Sequence, residues 1–572
     1  MKKMKKRMAW SCLIVAALFP LRTSCQSALA NARTSQRITK PAPTATAAEL
    51  GAINEQSGDH TAFLTATIEV DGVKYARTAA GVNGAIAAAT NEQTVMVLGN
   101  VSLSSPITMN RAGVTLQCTN GAGIYLDAPT NTDLVIVSAS NTRITGCIFD
   151  GNSTKQSTGG YGINISSARL RHVDIDHNEI RNTWNEGIRI ANASYLRITQ
   201  NRLANNGQPV ASAFAIDYTM QMRSASTENF VTISDNEIDE SSSSIGGINL
   251  AANIVGGVIQ KWHIDRNTII VGDNGSRVEL GVQAFAGALP GNIVSDGTVN
   301  GNIISGSNLT NTSTWGISVG LAGVTHGNVV VSGNSIRDTR ATCIEGIGSG
   351  IVITGNSCDD TDGITVTTNS APIDGVVVTG NVLTNGSAAF QNFAQIGISA
   401  YPSYSLRGLV VANNSIFNVP ESRSCIYLNG HLAGQIKDSQ VIGNFCQGQT
   451  SGMTKHAIVI SQTVHVAVES NMVRDWVGKD VYGIIVGPTS IGTILSRNEA
   501  LNALGTWEDQ GFATLIDDLA GAPYSVKYQS FGTRSEADGS RIFCSNCKVA
   551  NPCADRGTGA LAKRLNGVWV CN

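Results

Sequence analysis

Short apolar runs with a period of two, separated by polar turns, recur along most of the chain. They include "VDIDHNEI", "LRITQNRL", "VTISDNEI", "WHIDRNTI", "VVVSGNSI", "IVITGNSC", "VVVTGNVL", "LVVANNSI", "SQVIGNFC" and "VAVESNMV". Each unit is an apolar-x-apolar segment, two further residues, an Asn, one residue, then another apolar side chain. This alternation predicts a strand rather than a helix. The anchors are Asn178, Asn201, Asn236, Asn267, Asn302, Asn334, Asn356, Asn381, Asn414, Asn444, Asn471 and Asn498, spaced 22–35 residues apart. Two weaker units precede them: "TRITGCIF", with Cys147 in the Asn place, and "VTLQCTNG".

Between anchors lies a second short strand, usually Gly-Ile-x-apolar: "YGINI", "EGIRI", "FAIDY", "GGINL", "LGVQA", "WGISV", "DGITV", "IGISA" and "YGIIV". Each repeat therefore holds at least two short strands and no helix. Repeats of this length mean a solenoid. The chain lacks a leucine-dense consensus, so the economical solution is a parallel β-helix whose strands stack coil on coil. About 14 coils at roughly 4.8 Å each make a rod on the order of 65 Å long. The Asn is expected to fill a sharp corner, because it tolerates left-handed backbone angles and its amide can bond the copies above and below.

These repeats and the lead-in "YARTAAGVNGAIAAATNEQTVMVLGNVSLSSPITMNRAGVTL" resemble the pectate-lyase-like right-handed parallel β-helix superfamily. The resemblance implies a short helix at "GVNGAIAAA" (81–89) capping the open N-terminal end, and a first strand pair at "SLSSPITM". It covers roughly 75–525 and bears on architecture, since the fold hosts lyases, hydrolases, epimerases, tailspikes and adhesins. The expected fold class is all-β: a right-handed parallel β-helix with an N-terminal capping helix and a small Cys-rich C-terminal module. The boundaries are 1–30 signal peptide, 31–60 flexible linker, 61–525 β-helix with its cap, and 526–572 C-terminal module.

The ends of the chain change this picture more than the average composition does. A basic "KKMKKR", an apolar "MAWSCLIVAALFPL" and a small-x-small site at Ala28 and Ala30 read as a signal peptide cut after Ala30. A lipid-modified Cys25 needs a small-residue approach, and Arg22 stands three positions upstream. The apolar run is short for a bilayer span. Cleavage removes six basic residues and no acidic ones, leaving 34 Lys+Arg against 42 Asp+Glu. With no basic cluster afterwards, nucleic acid is excluded as a partner. The expectation is a secreted or cell-surface protein with a polysaccharide partner, no membrane span and an undetermined oligomeric state. Cys544, Cys547, Cys553 and Cys571 crowd the C-terminus. Export and the lack of a nearby His favour disulfides over zinc there.

Stacked strands place equivalent residues in columns. If the Ile of Gly-Ile-x faces the core, x faces outward: Asn164, Arg189, Asp217, Asn249, Gln283, Ser318, Glu345, Thr365, Ser399, Tyr427, Val459 and Ile485. Glycines at 162, 187, 247, 281, 316, 363, 397 and 483 are expected to leave a shallow strip beside this column. A polar column and a glycine strip suit an extended sugar chain, with Phe285 and Tyr401 available to stack on sugar rings. The catalytic candidates are Asp217, Arg189 and Glu345, and the substrate-binding candidates are Asn164, Asn249, Gln283, Tyr401 and Tyr427. Asp217 is a general acid or base, with Arg189 orienting it or gripping substrate. The alternative for these two is a plain ion pair between adjacent coils. Asp217 and Glu345 lie four coils apart, roughly 19 Å, too far for a hydrolytic pair. A partner for Asp217 has to come from a turn, and Glu186, Asp239 and Glu240 all qualify.

The polygalacturonase-type motifs and the Asp-Pro-His of alginate epimerases are missing, and the histidines are read as isolated. No cofactor is expected. Asp359, Asp360 and Asp362 in "SCDDTDGITV" read as a tight corner, since an EF-hand calcium site needs other spacing and a closing Glu. Two functions stay open: an exported β-helix enzyme cleaving an extended polysaccharide, as lyase or hydrolase, or a non-catalytic glycan-binding or adhesive rod.

Overall fold

The computed structural model describes residues 67–571, apart from internal segments of which the longest are 208–213, 221–228, 273–278, 307–313, 321–326, 387–392, 518–524 and 527–540. The expected signal peptide and linker lie outside the described residues. The described residues form a right-handed parallel β-helix of three long sheets, with 19, 15 and 15 strands among them. The two 15-stranded sheets put one coil more than the repeat count into the rod. One sheet gathers the strands that precede each anchor, such as Leu170–Asp176 and Ala193–Thr199. Another gathers the Gly-Ile-x strands, such as Ile188–Ile190 and Phe214–Met220. The third was not anticipated. It consists mostly of three-residue strands just after each anchor, such as Glu179–Arg181 and Arg202–Ala204, both of which bury only their middle side chain. A single apolar position carries no period, so the alternation could not announce these strands.

The anchors form a continuous ladder. Each Asn Nδ2 donates to the Oδ1 of the next Asn, from Asn178 to Asn498, at 2.8–3.0 Å. Its backbone N–H donates to the same oxygen. The expected reason for Asn is half corrected, because the left-handed angle belongs to the residue before it. His177, Gln200, Asp235 and Arg266 have φ of 54–58°, and Gly301, Gly333, Gly355 and Gly380 of 61–64°. Asn is there for its amide, which satisfies buried backbone groups that water cannot reach. At the first rung Cys147 takes the Asn place, its N–H donates to Asn178 Oδ1, and its sulfur bonds Cys118.

The glycine strip is also corrected. A Cβ on Gly247, Gly281 or Gly316 would come within 2.5–2.6 Å of Ile269, Ile304 or Ile336 in the next coil. These glycines pack inward at the corner between two sheets, whereas Gly397 is the one member of the strip with open space beside it. Two coils replace the Gly–Ile contact by disulfides at the equivalent positions, Cys343–Cys358 and Cys425–Cys446.

The rod's N-terminal end is covered by helix Ala79–Ala88, two residues earlier than expected at its start. Thr78 caps it, and Ala79, Val82, Ala85 and Ile86 are its buried face. Asn83 fastens it to the first coil by donating to Pro106 O at 3.0 Å and accepting from Thr108 N at 2.8 Å. Near the other end of the chain, Arg541–Cys544, Ala560–Leu565 and Val568–Cys571 form an antiparallel sheet stapled by Cys544–Cys547 and Cys553–Cys571. Among the described residues no helix is long and apolar enough to cross a membrane.

Candidate functional site: an acidic centre on the Gly-Ile-x sheet

Strand register confirms the column through its first eight members. Asn164 aligns with Arg189, Arg189 with Asp217, Asp217 with Asn249, and Asn249 with Gln283. Ser318, Glu345 and Thr365 follow. The next member is Gly397 rather than Ser399, because Ile396 and not Ile398 aligns with Ile364. Tyr427 then rejoins the expected line. Tyr401 lies just beyond the strand Ala394–Ala400, outside the column.

The column is less open than outward alternation implies. Asp217, Asn249, Ser318 and Glu345 are buried. Burying polar side chains costs free energy unless partners compensate, and here they converge on Asp217. Arg189 Nη1 hydrogen-bonds one carboxylate oxygen. Thr219 Oγ1 donates to the other at 2.6 Å and Asn249 Nδ2 at 2.7 Å. The second buried acid, Glu186, sits in the turn before Ile188, with its Oε1 at 3.7 Å from the same Arg189 Nη1. One guanidinium thus bridges two carboxylates, whose nearest oxygens are at most about 7 Å apart given a hydrogen bond of ordinary length.

Burial, reinforced by the Asp217 charge and opposed by Arg189, pushes Glu186 up to about 7. Asp217 is surrounded by donors. Asn249 Oδ1 is buried and has no hydrogen-bond partner among the described residues, leaving one acceptor unused inside the centre. The flank holds Asp133 and Tyr161. Asp133 accepts from Asn164 Nδ2 at 2.7 Å and from Tyr161 N at 2.9 Å. Burial and the Glu186 charge raise the Tyr161 phenol.

Of the turn acids considered as partners for Asp217, Glu186 is the one seen to share Arg189 with it. Glu240 is spent on Asn206, accepting its N–H at 2.7 Å and its Nδ2 at 3.0 Å, and Asp239 lies on a post-anchor strand. Asp133, Tyr161 and Thr219 escaped the sequence reading. Thr219 could have been found as the next outward position after Asp217 on the same strand; Asp133 and Tyr161 sit in turns that no period marks.

Glu345 stands apart. It accepts from Ser318 Oγ at 2.8 Å, and burial pushes it up to about 7. Its charge adds to burial in raising the Tyr401 phenol. The Tyr401 ring stacks on His431, centroids 5.9 Å apart, and His431 Nε2 meets Ser399 Oγ at 3.1 Å. Reading His431 as isolated is therefore corrected. Tyr427 packs edge-on against the exposed Phe393 at 6.2 Å, and Gln283 is half-buried between the two acidic centres.

The aspartate-rich corner divides. Asp360 takes a left-handed φ of 48°, as a tight corner requires, and Asp359 accepts from Thr384 and Asn385. Asp362 instead is fully buried and pairs with buried Arg423 at 2.6 Å. Among the described residues the sole group placed to share a metal is Cys547, Cys553 and Cys571, all of them in disulfides.

No family model matches the chain, and no curated protein matches it. Three solved structures are similar in fold. The mannuronan C-5 epimerase AlgE6 A-module of Azotobacter vinelandii is 14% identical, covering 79% of this chain and 99% of its own, with a TM-score of 0.32. The tailspike of E. coli bacteriophage HK620, in complex with a pentasaccharide, is 12% identical over 79% and 77%, with a TM-score of 0.42. The GH87 α-1,3-glucanase of Streptomyces thermodiastaticus is 12% identical over 77% and 68%, with a TM-score of 0.35. At these values none of them transfers a residue role or a substrate to this chain.

Proposed function

We propose that this chain is an exported glycoside hydrolase that cleaves an extended, uncharged polysaccharide laid across the Gly-Ile-x sheet. The observation that carries the reading is the pair Glu186 and Asp217 bridged by Arg189, with Glu186 pushed up to about 7. A carboxyl that keeps its proton near neutrality can protonate a leaving oxygen, and a neighbouring carboxylate can activate water or attack the sugar. Their shared contact with Arg189 bounds the separation at about 7 Å, an upper limit that reaches the distances glycosidases use. Arg189 positions both acids, and Asn249 Oδ1 offers an acceptor to a sugar hydroxyl.

Lyase chemistry on a uronate fits less well. It wants a free cation for the substrate carboxylate, whereas Arg189 is already engaged by Asp217 and Glu186, and the Asp133 carboxyl group lies nearby. A net-negative centre favours a neutral chain.

The test uses the protein lacking residues 1–30, its N-terminus verified by sequencing, on a panel of neutral and uronate polysaccharides. New reducing ends on a neutral glycan are expected, and Glu186→Gln and Asp217→Asn each lower kcat by about 10²–10⁴-fold. Turnover that survives both substitutions removes the proposed pair. Unsaturated products from a uronate polymer replace hydrolysis with elimination, and binding without turnover on any glycan leaves the non-catalytic rod.

A further inference from the structure

Glu186 belongs to a third line of residues, two positions before the inward side chain of each Gly-Ile-x strand. By register, successive coils hold Tyr161, Glu186, Phe214, Gly246, Leu280 and Trp315 at that place. Contacts between coils agree with this alignment. Gly162 N donates to Glu186 O at 3.2 Å, and a Cβ on Gly187 would come within 3.1 Å of Ala215 O. Tyr161 thus lies one coil before the acid and Phe214 one coil after it, each about 4.8 Å away along the rod. Glu186 is the one charged residue in this line, and a ring stands on either side of it.

Both rings are fixed in place and partly exposed. The Phe214 ring fills the space left by Gly246, where a Cβ would come within 2.7 Å of its Cδ1 and Cε1, and it packs against the small apolar cluster of Leu280, Trp315 and Ala341. The Tyr161 backbone is clamped by Asp133 Oδ1 at 2.9 Å and by Leu134 N at 2.9 Å. Its phenol makes no hydrogen bond among the described residues, although a half-buried phenol ordinarily finds one. Each ring also has a polar residue of the outward column on its own coil, Asn164 beside Tyr161 and Asp217 beside Phe214. A ring next to polar groups suits a pyranose, whose C–H face is apolar and whose edge carries hydroxyls. We propose that Tyr161 and Phe214 hold the sugars on the two sides of the bond cut at Glu186, Tyr161 by a hydrogen bond from its phenol and Phe214 by contact with its ring. This inference rests on the hydrolytic reading of the acid pair.

The test follows where a chain is cut, using the protein lacking residues 1–30 and oligosaccharides of dextran, xylan, mannan and cellulose labelled at the reducing end. Tyr161→Phe keeps the ring and removes only the hydroxyl. Phe214→Leu keeps an apolar side chain and removes the flat ring, and Phe214→Met is made beside it in case leucine loosens the apolar cluster. On the glycan that is hydrolysed, each change is expected to lower kcat/KM about 3–10-fold with Tm unchanged. The preferred cleavage position should move in opposite directions for Tyr161→Phe and for the Phe214 variants, because each weakens the grip on one side of the bond. A purely structural role for either ring moves Tm and leaves the cleavage position alone. A position that stays in place at either residue, or that moves the same way for both, overturns the assignment. Hydrolysis of none of these glycans, or hydrolysis that survives Glu186→Gln, removes the acid pair and this inference with it, so the two failures are told apart.

Discussion

Two lines of side chains run along this molecule, built by the same stacking rule and used in opposite ways. The Asn ladder repeats one residue on twelve consecutive coils, and every amide does the same work. The column from Asn164 to Glu345 occupies consecutive coils too, yet reads Asn, Arg, Asp, Asn, Gln, Ser, Glu. Both lines contain buried polar groups. In the ladder each group serves the backbone next to it, so the demand is identical at every coil and so is the residue. In the column no backbone demand imposes a residue. Buried polar side chains persist there only by serving one another, as around Asp217, or something outside the chain. Repetition in a solenoid therefore marks structure, and buried variation marks chemistry.

The largest effect on stability is expected from breaking the ladder. Asn302 Nδ2 donates to Ile264 O at 2.8 Å and to Asn334 Oδ1 at 3.0 Å, while its Oδ1 accepts from Asn267 N and Nδ2 at 2.9 and 3.0 Å. Asn302→Ala strands several buried groups at once, each costing about 1–3 kcal/mol, and should destabilise by roughly 3–5 kcal/mol. Denaturant titration checks this. A loss below about 1 kcal/mol would reduce the ladder to ornament and remove the contrast with the column.

Much of this contrast was legible in the sequence. Strand alternation and a recurring Asn gave the solenoid and its anchors because both depend on local spacing. What sequence could not supply depends on contacts across coils. Glu186 became the partner of Asp217 only once Arg189 was seen to bridge them. The burial of Asp362 was hidden because its partner, Arg423, is far along the chain. Ser399 slipped out of register because "QIGIS" holds two isoleucines, and the Gly-Ile rule chose the wrong one. The left-handed residue before each anchor changes identity from coil to coil, so its common geometry leaves no common letter.

The next effect depends on pH. Glu186 and Glu345, both pushed up to about 7 from an ordinary value of 4.5, keep their protons in the folded state over a range where unfolded glutamates have lost them. Through these two groups the folded protein binds more protons, so their contribution to stability falls as pH rises from about 4.5 through about 7. Each group accounts for up to about 3 kcal/mol. Glu345→Gln removes one contribution and should make the fall in Tm across that window smaller than in the unsubstituted protein. Thermal melts at a series of pH values read it, and an undiminished decline would show that Glu345 is not held neutral by its surroundings.

The smallest effect sharpens the comparison from outside both lines. Arg266 and Asp235 also join neighbouring coils, through hydrogen bonds at 2.7 and 2.8 Å, and Arg266 holds the Asp235 carboxyl below its ordinary value. The geometry is as good as any ion pair here, but the side chains are 59% and 37% exposed, against 16% and 7% for Arg189 and Asp217. Water and salt screen an exposed pair, and ordering two long side chains offsets most of what remains. Arg266 has a left-handed φ of 54°, so Arg266→Asn removes the pair without asking the corner for a residue that resists this conformation. The expected change is within about 0.5 kcal/mol and vanishes in high salt. A larger, salt-insensitive loss would mean that surface pairs between coils carry stability, and the special standing given to the buried Arg189 bridge would have to rest on its chemistry alone.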